Sequence, residues 1–198
     1  MTKIWRCTVC GYLHEGEQPP DICPICKVDA SKLELLSDAE TPASQQAGEQ
    51  SLGFFAEMRS AFVPHAVSAH FPNALLPTLG LFLLLYFVSG NSSFELSSYY
   101  LLLITALVVP ATFVTGLLDW KKHYGGKSAT IFRNKILLGL LLLVLGTVSV
   151  LLRWLVPDVL SAGGWLTWLY CGLLLTMLIC VTLLGHYGGM LVFARAGR

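Results

Sequence analysis

Four long apolar runs dominate the chain after residue 64, and each is close to the roughly 20 residues that an α-helix needs to cross a bilayer. They cover about residues 70–89, 98–118, 135–156 and 165–186. Pro72, Pro77 and Pro110 lie inside these runs, where neighbouring helices are expected to satisfy the freed backbone groups. The pattern predicts a mainly α membrane protein in which residues 64–198 form a four-transmembrane-helix bundle.

Two segments of different character precede the first apolar run. Residues 37–51 are small and polar, which predicts a flexible linker. Residues 52–63 predict a short amphipathic helix lying on the membrane surface, because one helical face collects the apolar side chains. These side chains are Phe54, Phe55, Met58, Ala61 and Phe62.

The N-terminal segment has no long apolar run and instead carries two cysteine pairs, Cys7 with Cys10 and Cys23 with Cys26. Two residues between the members of each pair let both thiolates turn onto one ion, and Gly11 permits a tight turn after the first pair. The pattern predicts a tetrahedral all-thiolate site, for zinc or for a single iron. A segment this short depends on its metal for folding, because it cannot build a sufficient apolar core.

Further residues surround the cysteines in a specific order. They are Ile4-Trp5-Arg6-Cys7-Thr8-Val9-Cys10-Gly11-Tyr12, Gly16-Glu17, Pro19-Pro20 and Cys23-Pro24-Ile25-Cys26. Over roughly residues 3–36 this order resembles the rubredoxin domain found at the end of rubrerythrins. The resemblance implies that the four cysteines hold one redox iron inside apolar surface from Trp5, Tyr12 and the prolines. Leu33 stands where that family usually has Phe, and this departure changes no metal ligand. We therefore expect a rubredoxin-like iron domain over residues 1–36.

Composition places the chain among membrane proteins, because 55% of its 198 residues are hydrophobic and only 13% are charged. The formal net charge of +1, without a basic run studded with aromatic residues, gives no indication of nucleic-acid binding. Met1-Thr2-Lys3 leads directly into the cysteine segment, so no signal peptide is expected.

Positive charge is concentrated in the loop 119–134, between the second and third apolar runs. Its basic residues are Lys121, Lys122, Lys127 and Arg133, and Lys135 follows. By the positive-inside rule this loop is cytoplasmic, and four spans then place both termini in the cytoplasm. We expect a multi-pass protein of the inner, cytoplasmic membrane with its thiolate site in a reducing compartment. Cys171 and Cys180 fall on opposite sides of one helix and are not expected to form a disulfide.

Four histidines fall at this same predicted membrane face. They are His65, His70, His123 and His186. Ionisable residues at membrane depth are functional candidates, because burying them in lipid is costly. The spans contain no Glu or Asp apart from Asp119 at the end of the second, which argues against a carboxylate-bridged di-iron site and against a proton-coupled transporter. Axial ligation of a haem by histidines from two helices is the metal chemistry that remains.

The membrane part has its own motifs over about residues 64–194. They are His65, His70-Phe71-Pro72, Gly116-Leu117-Leu118-Asp119-Trp120 and Gly185-His186-Tyr187-Gly188-Gly189-Met190-Leu191-Val192. These motifs resemble a bacterial four-helix membrane family of unknown function, for which haem b is the suggested ligand. The resemblance implies a cytochrome-b-like bundle with one or two haems. We predict His70 and His186 as the axial pair, with His123 and His65 as a second pair or as lining of the site.

One departure from this resemblance concerns the start of the third helix. Members of the family commonly carry a histidine there, whereas this chain reads Phe132-Arg133-Asn134-Lys135. The departure leaves two options: His123 substitutes for the missing histidine, or one ligand pair is gone.

Together these features predict electron transfer between a quinol pool, haem b in the bundle and the rubredoxin-type iron centre, as by a quinol:rubredoxin-type oxidoreductase. The resemblance to rubrerythrins implies a soluble cytoplasmic acceptor such as a rubrerythrin-like protein, in peroxide or oxygen detoxification. Membrane lipid and a second copy of the chain, forming a homodimer, are further expected partners. The alternative is a zinc-stabilised membrane scaffold or regulatory protein with no redox role. A transporter with a regulatory metal finger is disfavoured, because the spans lack buried charge.

Overall fold

The computed structural model of the protein describes residues 3–36 and 64–195, with side chains of the second range described as far as residue 192. The predicted linker at 37–51 and the predicted surface helix at 52–63 lie outside these residues. The domain boundaries placed there stay predictions.

The N-terminal residues form a small antiparallel sheet. Its strands are β1 (Ile4–Cys7), β2 (Leu13–Glu15) and β3 (Leu33–Leu35), in the order β2-β1-β3. In the central strand Trp5 faces His14 on one side and Leu35 on the other. The Trp5 indole donates its Nε1–H to the Gly16 carbonyl at 3.1 Å, which ties the loop after β2 to the sheet. A 3-10 turn at Ala30–Lys32 leads into β3.

Four long helices account for the rest of the described chain. They are α1 (Pro64–Ser89), α2 (Ser92–Tyr124), α3 (Thr130–Leu155) and α4 (Trp165–Arg195). Each is long and apolar enough to cross a membrane. The prediction of four long apolar helices is therefore confirmed. The first three predicted runs begin well inside their helices, and the third ends one residue beyond Leu155. Helix α1 continues through Pro72 and Pro77, and α2 continues through Pro110.

The helices bury one apolar core and leave much of their apolar surface exposed. Leu76, Leu102 and Met177 are at most 2% exposed and lie in this core. Many other leucines, valines and phenylalanines of the helices are exposed, as expected when lipid and not water surrounds a helix bundle. Trp154 and Trp168, near helix ends, are also exposed, in keeping with a position in the membrane interface.

The described chain divides into two compact units. One unit joins the N-terminal domain with Trp120–Arg133 and with the residues from Tyr187 onward. The other contains Pro64–Asp119 and Asn134–His186. The predicted fold class, four apolar helices with a small N-terminal cysteine-knuckle domain, is confirmed.

Candidate metal centre

The two cysteine pairs lie on two backbone turns of the same design. In the first, Gly11 N–H donates to the Cys7 carbonyl at 2.9 Å, and in the second Lys27 N–H donates to the Cys23 carbonyl at 3.0 Å. Cys7 N–H and Cys23 N–H each donate at 2.8 Å, to the carbonyls of Tyr12 and Val28 respectively. Gly11 has φ of 80° and Lys27 has φ of 60°, so both turns pass through the left-handed region directly after the second cysteine. The sequence folds the same turn twice, sixteen residues apart.

Backbone N–H groups point at all four sulfurs in the same repeated order. In the first turn the N–H groups of Cys10 and Tyr12 donate to the sulfurs of Cys7 and Cys10. In the second turn the N–H groups of Cys26 and Val28 donate to the sulfurs of Cys23 and Cys26. Such donors favour thiolate over thiol, because they stabilise negative charge on sulfur.

The four sulfurs form one compact, buried group. All lie within 4.8 Å of one another, and the four cysteines are at most 1% exposed. The sulfur pairs Cys7–Cys26 and Cys10–Cys23 are each 3.7 Å apart. This distance is far too long for a disulfide. A tetrahedron with metal–sulfur bonds of about 2.3 Å has sulfur–sulfur edges of about 3.8 Å, so the arrangement fits a tetrahedral ion without rearrangement.

Hydrogen bonds among the sulfurs perturb their acidity. The Cys10 thiol, followed by those of Cys23 and Cys26, lowers the pKa of Cys7. Cys10 is also the main cause that lowers the pKa of Cys23 to about 6. The pKa of Cys10 itself is raised, first by its hydrogen bond to Cys23 and further by burial. One acidic sulfur in each turn is suited to an ion that binds thiolates.

Among the described residues these four cysteines are the only group of three or more His, Cys, Asp or Glu placed to hold a metal ion. Cys171 and Cys180 are free, as predicted. The predicted histidine ligands belong to no such group. His70 and His186 lie at exposed positions of α1 and α4, and His123 is exposed in the last turn of α2. Their role as haem ligands stays a prediction.

His65 is the one predicted histidine ligand that the protein half buries. Its Nδ1 lies 3.2 Å from the Thr112 carbonyl oxygen, and its ring packs on Gly116, where an added Cβ would come within 2.8 Å of the ring. A backbone carbonyl at Nδ1 fixes the tautomer that leaves Nε2 as the acceptor nitrogen, an arrangement typical of ligating histidines. Asn73 makes a similar close approach, with Oδ1 3.0 Å from the position of a Cβ at Gly185.

Residues outside the cysteine motif complete the surroundings of the first turn, and their role was not predicted from the sequence. Lys127 donates its Nζ–H to the Thr8 carbonyl at 2.8 Å, between the two cysteines of that turn. Phe132 is 5% exposed and shares one apolar core with the cysteines. The sequence feature that could have indicated this contact is the presence of three aromatic residues in the mostly basic and polar segment 119–134. They are Trp120, Tyr124 and Phe132.

Fold and site together define a multi-pass membrane protein with an N-terminal four-cysteine metal-binding domain. Comparison with known families gives the same two parts. The chain belongs to the family described as "Predicted membrane protein (DUF2231)", whose model matches residues 63–197. The family model "Rubrerythrin, rubredoxin-like domain" matches residues 5–34. Both resemblances inferred from the motifs are thereby confirmed.

Individual relatives are similar to one part or the other. Rubrerythrin of Nitratidesulfovibrio vulgaris is 50% identical over 32 residues, 16% of this chain and 17% of its own. Rubrerythrin-1 of Clostridium acetobutylicum is 42% identical over 36 residues, 18% of each chain. The chain thus spans less than a fifth of the length of these two rubrerythrins. An uncharacterized protein of Archaeoglobus fulgidus is 33% identical over 87 residues, 44% of this chain and 68% of its own. No solved structure matches.

Proposed function

We propose that the protein is a membrane-bound electron carrier, in which a quinol pool, haem b in the helical domain and a rubredoxin-type iron centre exchange electrons. The observation that carries the proposal is the group of four buried sulfurs spaced for a tetrahedral ion, in a segment that matches the rubredoxin-like domain of rubrerythrins. Iron held by four thiolates supplies one-electron chemistry between its ferric and ferrous states. Zinc has no such chemistry.

The residues around the sulfurs are suited to this exchange. Reduction adds a negative charge to the cage, and the four N–H donors of the two turns stabilise that charge without moving. Burial of the cysteines excludes water from the sulfurs. Donors already in place and buried sulfurs keep the structural change between the two redox states small, which favours rapid electron exchange.

For haem b we propose His70 and His186 as axial ligands, with His123 and His65 as a second pair or as lining. The carbonyl of Thr112 at Nδ1 of His65 supports a ligand role for this histidine in particular. Electrons then pass to a soluble cytoplasmic acceptor, for which a rubrerythrin-like protein acting on peroxide or oxygen is our candidate. In this proposal the protein lies in the inner membrane, with both termini in the cytoplasm.

The metal centre is tested by metal analysis and absorption spectroscopy of the full-length protein purified from its membrane. We expect one iron per chain and sulfur-to-iron charge-transfer bands that bleach when a short-chain quinol is added. Cys10→Ser should weaken and shift the bands because it removes one of the four thiolate ligands. The matched variant Cys180→Ala, at a buried cysteine outside the cage, should retain them. An iron centre that no quinol reduces would contradict the proposed function.

Haem binding is tested by the reduced-minus-oxidised spectrum. His70→Ala and His186→Ala should each abolish haem bands if these residues form the axial pair, whereas His14→Ala, in β2 of the cysteine domain, should not. Loss of haem in His65→Ala with retention in the other two variants would move the ligand role to His65.

A zinc-stabilised scaffold is the second candidate, because the same sulfur geometry fits zinc. A colourless protein containing one zinc and no haem, purified from its native membrane, would establish it in place of the electron carrier.

A further inference from the structure

Two parts of the helical region pack against the cysteine domain within one compact unit. One is the turn between α2 and α3 with its flanking residues, and the other is the C-terminal part of α4. We call Trp120–Arg133 with Tyr187–Leu191 the docking platform. Ile131, Phe132 and Leu191 of this platform are at most 5% exposed. They form one apolar core with the cysteines, Val9 and Leu33 of the cysteine domain. Three large buried side chains at one contact indicate specific packing rather than a chance encounter.

Phe132 is the central aromatic residue of the platform. Its ring lies 4.7 Å from that of Tyr124 and 6.4 Å from that of Trp120, centroid to centroid. The Trp120 indole donates to the Lys127 carbonyl at 3.1 Å, which fixes the turn that carries Lys127.

Lys127 adds a polar contact at the edge of this apolar core. Its ammonium donates to the Thr8 carbonyl, so it crosses from the platform to the turn that holds Cys7 and Cys10. A pocket of about 480 Å³ opens at this place. Its lining combines the two cysteines with the basic side chains of Arg6 and Lys127 and with His123, and contains no acidic residue. Positive charge is thus collected on one side of the thiolate cage.

We propose that the docking platform is a functional interaction surface that holds the first cysteine turn in place, with Phe132 as its apolar anchor and Lys127 as a positioning residue that raises the reduction potential of the centre. The proposed effect of Lys127 on the reduction potential rests on the proposed electron-transfer function. The direction follows from charge: a cation beside the cage stabilises the reduced state, which carries one more negative charge than the oxidised state.

Docking is measured by hydrogen–deuterium exchange on the full-length protein in detergent, loaded with zinc. In Phe132→Ala and Lys127→Met, peptides covering residues 3–15 and 120–133 should exchange at least threefold faster, because each protects the other. Lys122→Met removes a neighbouring exposed charge and should change neither peptide. Because α2 and α3 are held by other contacts, peptides from their centres report whether a variant remains folded.

The potential is measured by redox titration of the iron-loaded protein. Lys127→Met should lower the midpoint potential, so that at a fixed applied potential the reduced-to-oxidised ratio falls threefold to tenfold. A tenfold change in this ratio corresponds to about 59 mV for one electron. Lys127→Arg should restore it, and Lys122→Met should leave it unchanged.

The proposal is supported if both peptides exchange faster in Phe132→Ala and Lys127→Met, and if the midpoint potential falls in Lys127→Met and not in Lys122→Met. Unchanged exchange in Phe132→Ala and Lys127→Met, or an equal potential shift in Lys122→Met, overturns it. If the native protein contains only zinc, the electron-transfer function fails. The exchange experiment then still decides whether the platform holds the cysteine domain.

Discussion

Gly11 and Lys27 occupy the same position in the two cysteine turns, yet only one of them suits its backbone. Both have positive φ, 80° and 60° respectively. Glycine adopts this region freely, whereas a side chain with Cβ is strained there by about 1 kcal/mol. The second turn therefore holds a small strain that the first turn avoids. The metal offsets this strain, since binding all four thiolates requires both turns to form.

Lys27→Gly is accordingly expected to stabilise the metal-loaded domain. The gain should be about 0.5–1 kcal/mol, because relief of the left-handed strain outweighs the greater flexibility of glycine in the unfolded chain. Thermal unfolding monitored by loss of the thiolate–metal absorption measures it. Gly11→Ala should have the opposite sign, by about 1–2 kcal/mol. A lower midpoint for Lys27→Gly would show that the Lys27 side chain makes a contact worth more than the strain.

The cysteine site was predictable from the sequence because its information is local. Two residues between the members of each pair suffice to place both sulfurs on one ion, and no distant residue changes that geometry. The contacts of Phe132 and Lys127 were not predictable in this way. They join positions more than a hundred residues apart, and a lysine in a basic loop also satisfies the simpler role of a topology signal.

At the scale of helices, the hydrogen bond lost at Pro72 in α1 is compensated by a hydroxyl from α2. Pro72 has no N–H, so the carbonyl of Ser68, four residues earlier, loses its helical partner. Thr112 donates its Oγ1–H to this carbonyl at 3.2 Å and also lies 3.1 Å from the Val108 carbonyl of its own helix. Thr112 is thus the residue of a neighbouring helix that satisfies the freed carbonyl, as expected in general for such groups. The sequence alone did not identify Thr112, because its role depends on how α1 packs on α2.

Thr112→Val should therefore destabilise the helical domain by about 1 kcal/mol, since it keeps the shape and removes the donor. Denaturation in mixed detergent, followed by circular dichroism, measures the change. The same substitution at Thr176 should be close to neutral, because Thr176 donates only within its own helix, to the Gly172 carbonyl. Pro72→Ala restores the N–H and should abolish most of the Thr112→Val cost. An undiminished cost in the double variant would assign the effect of Thr112 to packing.

A second contact between helices is ionic. Arg153 near the end of α3 donates its Nε–H to Glu95 in the first turn of α2 at 2.7 Å, and the two side chains are 13% and 15% exposed. The guanidinium also lies over the Tyr99 ring, 5.2 Å from its centroid. In the sequence Arg153 is an isolated charge near the end of the third apolar run. Pairing with Glu95 explains how a cation is accommodated there.

Removing one member of this pair should cost more than removing both. Glu95→Met leaves Arg153 unpaired at a mostly buried position, and we expect a loss of about 1–3 kcal/mol. Glu95→Met combined with Arg153→Met should recover part of it. The thermal midpoint in detergent is the measurement, and Asp158→Asn, at an exposed site, is the control. Strictly additive losses would mean that the pair does not couple α2 to α3.

For the molecule as a whole, the arrangement of charge makes one orientation in the membrane more favourable. The basic cluster lies in and around the turn between α2 and α3, with Lys127 in the turn itself, whereas the connection from α3 to α4 contains Asp158 and no Lys or Arg. Because basic loops are retained on the cytoplasmic side, the first turn is expected inside and the second outside. The cysteine domain packs on residues of the inner turn, so the same orientation keeps its thiolates in a reducing compartment.

Single cysteines at Ser128 and Ser161 test this orientation, because both positions are exposed. Ser128 lies in the turn between α2 and α3, and Ser161 lies in the connection between α3 and α4. In intact spheroplasts a membrane-impermeant maleimide should label Ser161→Cys and leave Ser128→Cys unmodified until the membrane is permeabilised. The unsubstituted protein sets the background, in which Cys171 is partly exposed whereas Cys180 and the four cage cysteines are buried. Labelling of Ser128→Cys in intact spheroplasts would place the thiolate centre on the outer side. An oxidising compartment of that kind is incompatible with delivery of electrons to a cytoplasmic acceptor.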